Sequence, residues 1–221
     1  MKSESNKLAV RGELALIAMV IMNSAGVLLM LHSGSGISAI SSVPYGFQQV
    51  FPQLTLGTWT YMFQGLLVLV LMLRRKFMPS YLFSFVVGFV FGKLMDLEKP
   101  FIDALPLNIP MRVLYFVLSY LILCFGISLG NRCGLPITPT DLFPREMADI
   151  TKLPYARVKI TFDLTCLITT AVITFVGVGA IRGLGIGTVV AACTMGKGIS
   201  FIGSLLDKRL TFHSVLDSQK V

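Results

Sequence analysis

SGSGISAISSVPYG, residues 33–46, is the stretch on which the fold turns. Nine of its fourteen residues are Gly, Ser or Pro, and no charge occurs anywhere from 33 to 54. An aqueous loop would carry Lys, Glu and Asp, whereas this one carries Ile37, Ile40, Val43, Phe47, Val50 and Phe51. It reads as chain that dips into the protein, because non-helical backbone at membrane depth is tolerated only where protein buries it or it lines a cavity. A short amphipathic helix lying in the interface is the alternative. A counterpart, GNRCGLPITPTDLFP, runs from Gly130 to Pro144.

Outward from these two stretches the chain is apolar. Of its 221 residues 54% are hydrophobic and 14% charged, with mean hydropathy +0.78. Soluble domains carry about a quarter charged residues. Apolar runs at about 13–32, 56–73, 80–97, 111–129, 160–179 and 183–206 are each long enough to cross a bilayer. The first follows Lys2, Lys7 and Arg11, but its apolar core is longer than a signal peptide's and no small-x-small cleavage site follows, so it reads as a retained helix. The expectation is an all-α integral membrane protein of six transmembrane helices in one polytopic domain, 1–221.

The net charge of +8 raises the question of a nucleic-acid partner. With the N-terminus in the cytoplasm, fourteen of the nineteen basic residues fall in short inside segments, from Lys2 through Arg74–Lys76 and Arg132–Lys159 to Lys220. Lys99, Arg112 and Arg182 fall outside. The positive-inside rule therefore gives both termini cytoplasmic, and basic residues spread over one set of loops leave no nucleic-acid surface. The partners expected are the lipid bilayer, a small-molecule or anionic substrate, and a coupling proton or sodium; a homodimer is compatible. The four cysteines are isolated and read as buried hydrophobes. With only His32 and His213, neither metal site nor cofactor is expected.

The connections are long after helix 1, short after helix 2, then long after helix 4 and short after helix 5. Three spans per half is an odd number, so the second half (about 110–206) sits inverted relative to the first (about 12–98), ahead of a tail at 207–221. Identities at an offset of 99 are sparse: Leu54/Leu153, Phe63/Phe162, Gly88/Gly187 and Val90/Val189, with Gln64 opposite Asp163. Gly/Pro-interrupted segments at matching places in two halves point to a transporter's binding site. Ser38 and Thr138 are thus candidate substrate contacts, and Gly34, Gly36, Gly134 and Pro136 candidate hinges.

Gly130–Asp141, the run from Tyr155 to Asp163, Gly183–Thr188, and Gly88 through Leu94-Met-Asp96-Leu together resemble the YczE/YyaS/YitT-type bacterial membrane proteins. The resemblance covers most of 13–206 and implies a small bacterial inner-membrane protein of the kind described as a transporter. One departure stands out. The family tends to Gly-Pro near the middle of helix 6, where this chain has Gly196-Lys197.

Ionisable residues within spans are expensive and mark function by default. Lys93 and Asp96 lie on helix 3, Asp163 on helix 5 and Lys197 on helix 6. Each lysine lies ~20 Å from where its helix starts, at 1.5 Å per residue, so the two fall at mirrored depths and make a candidate anion site. Other readings stand beside it: Lys93 pairing with Asp96, Lys197 snorkelling, Asp163 pairing with Arg157 or Lys159 at the surface, and Gln64 making an interhelical hydrogen bond. Asp141 reads as the N-cap of a short cytoplasmic helix. The leading function is a secondary transporter moving a small solute, an anion by its two lysines, by alternating access and without covalent chemistry. A substrate-binding membrane component of a multi-subunit uptake system is the runner-up. An intramembrane hydrolase built on Ser33–Gly36 and His32 lacks a base held across the site by a third group.

Overall fold

Leu, Val, Ile and Phe in runs of about 20 leave a chain no conformation in hydrocarbon but the helix, which satisfies every backbone group internally. The computed structural model describes residues 8–74 and 79–213. Lys2, Lys7, Arg75, Lys76 and Lys220, which weigh in the charge count, lie outside the described residues, as does the tail from 214. Six helices are long and apolar enough to cross a membrane: α1 (Gly12–His32), α3 (Leu56–Arg74), α4 (Pro79–Asp103), α5 (Ile109–Gly130), α7 (Tyr155–Val178) and α8 (Ile186–Arg209). The protein is an all-α, multi-pass membrane protein. Leu66, Phe175, Val176 and Ile186 stand more than half exposed on its outer surface, as side chains facing lipid do.

Inside the two long connections lie short helices, α2 (Ala39–Val50) and α6 (Pro139–Thr151). Each packs on the long helices of the other half: α2 along α7, and α6 against α3. Likewise α1 packs on α4 as α5 does on α8. At the centre α1 crosses α5. A Cβ at Gly26 would meet Leu123 at 3.0 Å, one at Gly126 would overlap Asn23, and Gly130 faces Met19. Numbers that rise on one helix meet numbers that fall on the other, so the two helices run antiparallel, as an inverted repeat requires.

These pairs also correct the offset. Gly26 and Gly126 are a hundred residues apart, and so are the positions they face. The same offset relates Ile37 to Ile137, both fully buried, and Pro44 to Pro144, each inside its short helix. Gly34 and Gly134 share a left-handed backbone (φ 74° and 69°). The offset is 99 between α3 (from Leu56) and α7 (from Tyr155), because the second half reaches its next long helix one residue sooner, and it widens to 107 between α4 (from Pro79) and α8 (from Ile186). A comparison at 99 throughout is out of register across the two connections.

Two strands complete the fold: β1 (Leu8–Arg11) and β2 (Leu210–His213) pair in parallel, Leu8 with Leu210 and Arg11 with His213. Beside them Arg132 reaches Asp207 through two hydrogen bonds of 2.6 and 2.7 Å.

Candidate functional site

The two short helices start at the same place. Ser38 is the N-cap of α2 and Thr138 the N-cap of α6, with nearly identical backbone angles (φ −58°, ψ 145° and φ −53°, ψ 141°). Both line one cavity with an empty volume of about 650 Å³, which includes the part open to the surroundings. Asn23 and Val27, midway along α1, and Gln64, midway along α3, line it too. The first turns of α2 and α6 therefore sit at mid-helix depth and not at a membrane surface. A helix N-terminus carries unpaired amides and about half a positive charge, so two of them converging here favour an anionic group.

α2 is held in place along α7. Ser42 donates to the Ala39 carbonyl (2.6 Å) and meets the Thr170 hydroxyl at 2.7 Å, while Gly46 lets Thr170 and Thr174 approach. Nearer the start of the same helix, Lys159 Nζ contacts both oxygens of Asp163 at 2.7 Å, and both side chains are about 95% buried. Asp141 is also buried and accepts a 2.8 Å hydrogen bond from Thr138 Oγ1. Gln64 has no exposed surface, and neither its Oε1 nor its Nε2 has a hydrogen-bond partner among the described residues. Asn23 Oδ1 is unpaired likewise. Native proteins rarely bury unpaired polar atoms, and three at one cavity call for an explanation.

The structure thus brings together Ser38, Thr138, Gln64 and Asp163, as the sequence suggested, and adds Asn23, Asp141 and Lys159. Asp141 is not the N-cap of α6. The helix begins two residues earlier, since Pro139 suits the first helical position, and Asp141 falls in its first turn facing the cavity. Lys159 was assigned to a cytoplasmic loop because the apolar run starts at Ile160, but α7 begins at Tyr155 and carries it inside. A signal for it exists: Lys159, Asp163, Cys166, Thr170 and Thr174 form the buried stripe of α7, at helical spacing.

The two-lysine site is not formed. Lys93 and Lys197 are exposed and neither lines the cavity. Lys93 lies over the rings of Tyr61 (6.0 Å) and Phe89 (5.7 Å), a cation–π arrangement on the outer face of α4. Gly196 gives Lys197 no close neighbour, for a Cβ there would meet nothing within 4 Å. Position along a helix does not set which way a side chain faces, and the rotation of α4 and α8 turns both lysines outward.

Asp96 does not line the cavity. It accepts from Thr55 Oγ1 (2.7 Å) and from the Gly57 amide (3.0 Å), so it caps the start of α3 from α4. Asp96→Ala should cost about 1–2 kcal/mol of stability, measured by thermal unfolding in detergent; an unchanged midpoint would mean that the cap contributes nothing.

The hinge positions divide. Gly34 and Gly134 are the left-handed turns that end α1 and α5. Gly36 (φ 107°) lies against Gly185 and Thr188, where the Ile37 amide donates to the Gly183 carbonyl at 3.0 Å. Pro136 stands in the irregular stretch leading to α6. His32, beside Ser33–Gly36, meets the Leu105 carbonyl at 3.1 Å and stacks obliquely on Tyr115.

Residues 10–204 match the model of a family of unknown function, DUF6198. The chain belongs to that family. No curated protein and no solved structure matches it. The matched range takes in every residue of the cavity, from Asn23 to Met195.

Proposed function

We propose that the chain is a secondary transporter for a small solute with an anionic group, set in a bacterial inner membrane with both termini cytoplasmic. The observation that carries this reading is Gln64. A fully buried amide with neither end hydrogen-bonded among the described residues, in the wall of the cavity where the two helix N-termini converge, is a candidate binding group. Lys159, not Lys93 or Lys197, is the cation beside it. The halves are also packed unequally. α2 lies along α7 from Ser42 to Val50, where Gly177 receives Val50, whereas α6 turns an exposed Asp149 and Lys152 away from α3. Two halves of matching construction with one tightly closed and one loose is what alternating access needs.

The residues behind the resemblance to the YczE/YyaS/YitT-type proteins support the same reading. Thr138 and Asp141 line the cavity, and Gly183–Thr188 receives Gly36 and Ile37. The positive-inside count supports the orientation.

The test is exchange by the purified protein alone in liposomes, with labelled acetate, propionate, glycine and L-alanine on a panel. Exchange of at least one, reduced tenfold or more in Gln64→Leu, is the expected result. Binding without exchange would favour the substrate-binding component of a multi-subunit system, and neither binding nor exchange would end the proposal.

A further inference from the structure

Charge in the cavity does not balance around a lone anion. Lys159 directs its ammonium at both oxygens of Asp163, which leaves Asp141 as a second carboxylate. One Asp141 oxygen is held by Thr138 Oγ1, and the other has no hydrogen bond among the described residues. A cavity built for an anion alone would not set a carboxylate beside it, because like charges at close range repel most where water is excluded.

The unpaired atoms make the same point independently. A ligand carboxylate could satisfy Gln64 Nε2 and the first-turn amides of α2 and α6. It offers nothing to the second Asp141 oxygen, an acceptor that needs an N–H donor. The rest of the wall is mostly apolar, with Val27, Phe63, Phe91, Ala191, Ala192 and Met195.

We infer that the solute is a small α-amino acid in its zwitterionic form. Its carboxylate lies on the N-termini of α2 and α6 and the Gln64 amide. Its ammonium lies on Asp141, and a short side chain meets the apolar wall. This rests on the transporter reading of the same cavity and narrows the solute class.

The test compares L-alanine with propionate, which lacks the ammonium, and with ethylamine, which lacks the carboxylate. Binding to the purified full-length protein is read from thermal unfolding, since a ligand of the folded state raises its midpoint. L-alanine should bind at least tenfold tighter than either fragment. Asp141→Asn should weaken L-alanine tenfold or more and close the gap to propionate. Propionate binding as tightly as L-alanine would overturn the inference, while its exchange in liposomes would leave an anion transporter standing. No shift with L-alanine, glycine or L-serine overturns it as well.

Discussion

Lys159→Met should be the most destabilising single change in the cavity, at about 3–5 kcal/mol, because it leaves the Asp163 carboxylate buried and alone. The pair is about 95% out of contact with solvent, and each ion depends on the other. Asp163→Leu should cost a similar amount by stranding the ammonium. The double variant, Lys159→Met with Asp163→Leu, removes both charges and should be markedly more stable than either single one. Unfolding of all four proteins in one detergent gives the coupling energy. Single effects that simply add would mean that the two groups do not depend on each other. Solute exchange should be lost in all three variants, the stable double one included, which separates the pair's part in binding from its part in folding.

Gly36→Ala carries the second large effect. The residue sits at φ 107°, outside the region an L side chain adopts readily, which costs about 1–3 kcal/mol. A Cβ there would also overlap Thr188 Oγ1 and come to 2.6 Å from the Gly185 nitrogen. Crowding of that kind costs about 1–3 kcal/mol more. Trimming Thr188 to Ala relieves the side-chain contact but not the backbone one or the dihedral. Gly36→Ala should therefore lower the unfolding midpoint, and adding Thr188→Ala should recover only part of the loss. Full recovery would mean that the side chain alone set the limit. Gly196→Ala, a glycine with open space around it, should be nearly neutral in the same assay.

What could be read from the sequence follows from what hydropathy encodes. Runs of apolar residues mark which segments cross: four of the six agree with the observed helices within three residues at each end, while α4 runs six residues past 97 and α7 starts five before 160. Composition points to the first connection, because uncharged Gly/Ser/Pro chain has few other homes beside a membrane, whereas the second carries Arg132 and Asp141 and is recognised as its counterpart. The missing part was rotation. Lys93 and Asp163 both sit in apolar helices, and nothing in their depth distinguishes the one facing outward over Tyr61 and Phe89 from the one facing the cavity. The polar stripe of α7 carries that information for Lys159 and Asp163, and an apolar-run boundary drawn at Ile160 cut it in two. Asn23 was missed for another reason. One amide in a 21-residue apolar helix is explained only by Gly126, a residue on another helix. The Leu8–Leu210 pairing joins chain ends that no local pattern connects.

That pairing has a consequence for the order of synthesis. Leu8–Arg11 leaves the ribosome before the described helices, yet its partner strand follows them all. Until translation reaches His213, the early strand is an open edge with unpaired amides and carbonyls, the kind of surface that templates aggregation. The parallel register can close only when six crossings have returned the chain to the side it started from. A missed crossing leaves the two strands on opposite faces of the bilayer, with the edge still exposed. The smallest element of the fold thus records whether the whole chain was threaded correctly.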